Sequence, residues 1–208
     1  MRTGLILAAA SMLVLAPMAR ADWDTGDPYK MHFPQLPNNS GRDMSIVLAD
    51  DWECIGSGPV NDIHFWTFFD PLQANVPVYA MICSNIPDGG LGYSIPGPML
   101  WDRYFYPGEY TVRFQSPFYW QFNIENIRDA FVQTEGQIYW LGLRIQQDPT
   151  LYWNYSDAVF MDQATMWTGE QWELLGGNMA FVITPEPATL CLLGIGAVGM
   201  FIRRRGRK

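Results

Sequence analysis

The sequence predicts an all-β domain, an antiparallel β-sandwich of jelly-roll-like kind, and three observations carry that prediction. Apolar and polar residues alternate with a period of two in several short runs. Pro, Gly, Asn and Asp gather between the runs, as in Pro87-Asp88-Gly89-Gly90 and Pro107-Gly108. No stretch of the body keeps a 3.6-residue apolar period over three turns, so no helix is expected there.

The chain has 208 residues and opens with Met1-Arg2, an apolar core from Leu5 to Leu15, and Ala19-Arg20-Ala21. This is the charge, grease and small-residue order of a secretory signal peptide, so residues 1–21 are expected to be cut off before Asp22. Residues 22–183 then form the secreted β-sandwich domain, an ordinary size for one core. From Asp22 to Asp43 the composition turns to Pro, Asn and Asp, which predicts an extended segment laid over the domain. Its Asp22, Asp24 and Asp27 offer the oxygen ligands that Ca²⁺ prefers, though in no known loop spacing, and a solvated acidic turn is the plainer reading.

Strand signals begin at Ser45–Ala49 and run on through Asp50–Cys54. After a Gly56-Ser57-Gly58-Pro59 turn, Val60–Phe69 alternates, with Ile63, Phe65, Thr67 and Phe69 on one face and Asp62, His64, Trp66 and Phe68 on the other. Further strands are expected at Val78–Ser84, Tyr110–Gln115, Trp120–Ile124, Gln137–Gln146, Ala158–Met161 and Met179–Ile183. Within Gln137–Gln146, Tyr139, Leu141, Leu143 and Ile145 share a face, as a core-facing strand requires.

Beyond Thr184 the pattern changes. Pro185-Glu186-Pro187 breaks the chain, Ala188 to Ile202 carries no charge, and Arg203-Arg204-Arg205-Gly206-Arg207-Lys208 closes it. An apolar run of that length makes a short membrane helix, roughly 22 Å long, with the basic cluster held on the cytoplasmic side and the body facing away. Residues 184–208, with Pro185, Glu186 and Pro187 as the motif, closely resemble the PEP-CTERM sorting signal of Gram-negative bacteria. The resemblance implies an inner-membrane intermediate, processing by an exosortase-type protease, and delivery to the cell surface or outside, often in bacteria that make exopolysaccharide. Blocks in the body, Val47 to Ile55, Gly58 to Trp66, Ile95-Pro96-Gly97, Trp101, Pro107 to Tyr110 and Tyr139-Trp140-Leu141, are similar to a family of uncharacterised exported domains of planctomycetes and related bacteria. That similarity implies a secreted β domain over about residues 28–183 and carries over no catalytic residue.

Charge separates along the chain. Two of the 13 basic residues lie in residues 1–21 and five in the tail, leaving six between Asp22 and Glu186, where all 21 acidic residues lie, a balance near −15. Nucleic-acid binding, which needs a basic footprint, is excluded as an expectation. Cys191 lies in the sorting helix, so Cys54 and Cys83 are the pair available to an oxidising compartment, where a disulfide would close a loop of about 30 residues. The alternative is two buried free thiols.

Catalytic motifs are absent. The histidines are His32 and His64, no Gly-x-Ser-x-Gly nucleophile elbow occurs, and neither a zinc spacing nor a phosphate-cradling glycine loop is present. Asp62 and His64 share a strand face, as do Asp51 and Glu53 beside Asp50; the latter pair is the best carboxylate set for a glycan hydrolase. Neither rises above what an acidic chain supplies by chance, so the protein is expected not to be an enzyme and to have no cofactor, with Ca²⁺ left open. Aromatic residues make up 15% of the chain, and Trp101, Tyr104, Tyr106, Tyr119 and Trp120 gather in Pro/Gly-rich surroundings, as ligand-binding rings do when they stack on sugar faces; core packing is the competing reading. The expected role is structural or adhesive, at the surface or in the extracellular matrix, with exopolysaccharide as a partner. A carbohydrate-binding module and a carboxylate-dependent glycan hydrolase are the two alternatives.

Overall fold

Alternation decides which way each strand faces. In a computed structural model describing residues 22–27, 33–68, 76–88, 90–116, 119–146, 151–158 and 160–184, the period-two runs become the walls of a two-sheet sandwich. The signal peptide, the sorting motif at Pro185, Glu186 and Pro187, the apolar helix and the basic tail lie outside the described residues.

Fifteen strands follow one another among the described residues: β1 (Pro37–Asp43), β2 (Leu48–Glu53), β3 (Gly58–Pro59), β4 (Asp62–Phe68), β5 (Val78–Ile86), β6 (Ile95–Phe105), β7 (Tyr110–Ser116), β8 (Tyr119–Ile124), β9 (Val132–Gln133), β10 (Ile138–Arg144), β11 (Tyr152–Ser156), β12 (Thr165–Trp167), β13 (Trp172–Leu174), β14 (Asn178–Met179) and β15 (Phe181–Thr184). A seven-stranded sheet runs β1-β11-β4-β8-β7, with β14 beside β11 and β15 beside β4, and a six-stranded sheet runs β13-β12-β2-β10-β5-β6. All the pairings are antiparallel.

Between the sheets lies one apolar core. Leu48, Trp52, Ile82, Leu141 and Leu143 enter it from one side and Ile63, Phe65, Phe122, Trp153 and Phe181 from the other. Phe65 stacks on Phe122 at 4.8 Å between centroids, and burying such a side chain is worth about 1.5–3 kcal/mol. Two of the core tryptophans satisfy their polar edges: Trp52 Nε1 donates to Gln133 Oε1 at 2.9 Å and Trp153 Nε1 to the Ala180 carbonyl at 2.7 Å. The expected faces of β4 and β10 are both found, with Tyr139, Leu141, Leu143 and Ile145 in the core.

Several expectations are corrected. Of the segment expected to lie extended over the domain, residues 37–43 are built into the sheet as strand β1, paired to β11. Ala158–Met161 is no strand where described; the chain there bends toward β12. The longest strand, β6, contains Pro96 and Pro98, which mask it in the sequence; it lies at the sheet's edge, where a missing N–H costs no ladder bond. Cys54 and Cys83 are free thiols. Cys54 belongs to the core between the sheets and Cys83 to an apolar cluster on the outer side of the six-stranded sheet. With β10 running between their strands, they stand about two strand spacings apart and point to opposite faces, beyond the reach of a disulfide.

Candidate functional site

The registers of the six-stranded sheet set its outer side chains out as a grid. One row crosses all six strands: Trp172 lies opposite Trp167, Trp167 N donates to the Val47 carbonyl at 2.9 Å, and Arg144, Tyr79 and Tyr104 continue across β10, β5 and β6. The next row holds Thr165, Ala49, Gly142, Met81 and Asp102. A third holds Asp51, Trp140, Cys83 and Met99.

Residues of all three rows line a groove of about 510 Å³, walled by Tyr79, Tyr104, Trp167 and Trp172 with Arg144 and Asp102 between and beside the rings. Val47, Met81, Cys83 and Met99 line it between the rings. A Cβ on Gly142 would come within 2.5 Å of Met81 Cε, so the glycine lets that thioether lie flat across β10. Trp167 and Trp172 face each other at 5.3 Å, and Tyr79 meets Tyr104 at 4.9 Å. Three strand spacings, about 14 Å, separate the tryptophan end from the tyrosine end.

Polar groups are placed between the rings. The Arg144 guanidinium lies 5.4 Å from the Tyr79 ring centroid and donates through Nη2 to Tyr104 Oη at 3.0 Å, while its buried Nε has no partner. The Tyr79 hydroxyl is pushed up to about 12, first by desolvation and then by the nearby Asp102 carboxylate, so it stays a neutral donor. Burial likewise lifts the Cys83 thiol to about 11, which leaves it protonated and unreactive. A neighbouring notch of about 210 Å³ adds Tyr106 and Gln146 to the tyrosine end.

Of the rings singled out in the sequence, Tyr104 and Tyr106 therefore reach this surface. Trp101 is turned the other way, packing against the core and donating through Nε1 to the Asp129 carbonyl at 2.7 Å. Tyr119 and Trp120 belong to the other sheet, Tyr119 against a small outer cluster and Trp120 edge-on to Phe114 at 5.0 Å. Sequence reasoning missed Tyr79, Trp167, Trp172 and Arg144, which only strand register brings together.

The carboxylate candidates are spread. Asp50 is fully buried, accepts the Met179 N–H at 2.7 Å, and takes a 2.9 Å bond from the Gln35 amide when its nitrogen faces the carboxyl. Desolvation pushes its carboxyl well above the usual range. Asp51 points to the outer side, also with no exposure, and burial with the Asp162 charge lifts it to about 7. Glu53 is exposed. Asp62 accepts from the Asn126 backbone at 2.8 Å while His64 Nδ1 bonds Asn123 Oδ1 at 2.8 Å, so this pair is committed to separate partners. Among the described residues no three His, Cys, Asp or Glu side chains converge on a metal-sized space.

On the outer side of the seven-stranded sheet the N-terminal segment covers an apolar patch. Trp23 is buried against Trp66, Ala180 and Val182, meeting Trp66 edge-on at 6.0 Å. Its carbonyl accepts from Gln121 at 2.8 Å and from Arg113 at 3.0 Å. Arg113 also holds Asp24 at 2.5 and 3.1 Å, and Asp22 accepts from Asn123 at 3.0 Å. Asp22 and Asp24 thus turn to Arg113 and Asn123, while Asp27 caps the Asp24 N–H at 2.8 Å.

Residues 31–191 match the family described as Domain of unknown function (DUF7901), and residues 184–205 match the PEP-CTERM protein-sorting motif. No curated protein and no solved structure matches the chain.

Proposed function

The chain belongs to the DUF7901 family and carries the sorting motif of an exosortase-sorted exported protein, and from that premise we propose a surface adhesive protein whose outer groove holds glycan chains. The observation that carries the reading is the row Trp172, Trp167, Arg144, Tyr79, Tyr104, a line of rings broken by a cation on an exposed sheet face. Sugars present apolar faces to rings and hydroxyls to donors such as Arg144 and acceptors such as Asp102. An excess of negative charge in the body supports neutral glycans over polyanionic ones.

Binding without turnover belongs to the proposal. In support, the sequence's carboxylate pair does not open together onto the groove, since Asp51 is fully buried while Glu53 faces solvent. Retention of the purified protein in gels containing neutral polysaccharides, with products monitored, tests it. Retention is expected to fall about tenfold in Trp172→Ala and again in Tyr104→Ala, from the loss of about 1–1.5 kcal/mol per ring. Unchanged retention in both variants sinks the glycan reading.

A further inference from the structure

At the end of the groove's sheet face, beside Trp140, the structure leaves two buried oxygens without partners on adjacent strands: Asp51 Oδ1 on β2 and Thr165 Oγ1 on β12. Both residues have no solvent exposure. Thr165 pairs with Ala49, and Asp51 is the next outward residue along β2, so the two are diagonal neighbours whose Cα atoms lie about 7–8 Å apart with the side chains somewhat closer. Neither oxygen has a hydrogen-bond partner, including the other.

Asp162 closes this corner. Its backbone N–H stands 3.5 Å from Asp51 Oδ2. Its own Oδ2 accepts from Ser94 N at 2.9 Å and from Ser94 Oγ at 2.5 Å, which leaves Oδ1 without an assigned donor. Asp51 thus has the Thr165 hydroxyl diagonal to it on β12 and the Asp162 main chain against its other oxygen, no ion pair among the described residues involves either aspartate, and Asp162 is only part-buried, which gives an entry from solvent. Paired acids in an acidic protein would by themselves say little. The orphaned threonine hydroxyl, buried and diagonal to Asp51, is the independent observation that calls for a partner.

We infer that Asp51, Asp162 and Thr165 form a divalent-cation site, suited to Ca²⁺, that clamps the segment before β12 onto the six-stranded sheet. Ca²⁺ takes oxygen ligands in irregular sets and completes them with carbonyls and water, so two carboxylates and a hydroxyl are an adequate protein share. Such a cation would replace the missing donors of both orphaned oxygens and offset the mutual repulsion of the two aspartates. The site stands independently of glycan binding.

The test is thermal unfolding of the purified protein after EDTA treatment, with and without millimolar CaCl₂, together with Tb³⁺ luminescence excited through tryptophan, Trp140 being the cross-strand neighbour of Asp51. The wild type is expected to gain several degrees in Tm and to show one sensitised Tb³⁺ site. Asp162→Asn, at a part-exposed position that keeps an acceptor for Ser94, should fold and lose both responses, and Thr165→Val should weaken Tb³⁺ binding about tenfold. No calcium-dependent shift in the wild type would overturn the inference, with water or a shared proton filling the gap. So would a response that survives Asp162→Asn and Asp51→Asn but disappears in Asp24→Asn, which would place the ion on the N-terminal acidic turn.

Discussion

The two sheets share one core but treat their outer faces in opposite ways. On the seven-stranded sheet the N-terminal segment lays Trp23 over Trp66, Ala180 and Val182 and locks it with Arg113, Gln121 and Asn123. On the six-stranded sheet the equivalent apolar surface, with Trp167, Trp172, Tyr79 and Tyr104, is left uncovered by the described residues. Aromatic content alone does not separate stability from recognition; what separates them is whether the chain covers its own rings. Closed rings are part of the fold, and open ones are available to a ligand.

The largest effect expected from this contrast is on the closed face. Trp23→Ala should cost about 3–5 kcal/mol in urea denaturation, as truncation of a buried tryptophan does. A loss below about 1 kcal/mol would mean the segment is an ornament and the two faces are alike.

Next comes His64, which sits beneath that segment. Burial, set against the Asn123 hydrogen bond, holds its imidazole down at about 4, so between that value and the unfolded pKa of about 6.5 the unfolded chain binds the extra proton. Its contribution to stability is complete above about pH 6.5 and is lost as pH falls toward 4, on the order of 3 kcal/mol across the window. The raised carboxyls of Asp50 and Asp51 act in the opposite sense. The difference between wild-type and His64→Gln unfolding curves across pH 4–7 isolates the histidine; parallel curves would show that the ring carries no such linkage.

On the open face the order of effects reverses. Trp172→Ala and Tyr104→Ala should change stability by less than about 1 kcal/mol, because Tyr104 is 43% exposed and Trp172 is only part-buried, on the edge strand β13. Their effect belongs to glycan retention, and equal losses of stability on both faces would dissolve the distinction. Smallest of all is Asp24→Asn: its partner Arg113 is part-buried, but the aspartate side chain is 64% exposed, so about 0.5 kcal/mol, shrinking with added salt, is expected in the same denaturation assay.

These contrasts also mark how far the sequence could be read. β4 and β10 were legible because alternation survives wherever one face meets a core and the other does not, as with Ile63, Phe65, Leu141 and Leu143. β6 was not, since Pro96 and Pro98 read as a turn, and only an edge position reconciles them with a strand. Losing β6 also hid the site. Trp101 and Tyr104 are three residues apart and so face opposite ways on a strand, one to the core and one to the groove. Tyr79, Arg144 and Trp172 are brought beside Tyr104 by cross-strand register, and register is a property of the assembled sheet that no local window contains.

The prolines of β6 carry one more consequence. An edge strand eleven residues long, with Met99 and Leu100 more than 45% exposed, is a template on which another copy could lay a strand of its own. Pro96 and Pro98 lack N–H groups within a stretch where the pairing with β5 is itself irregular, so an incoming strand would find fewer donors and no regular ladder there. At the density of a crowded cell surface, that gap would let neighbouring copies stay separate and soluble rather than zip into continuous sheets.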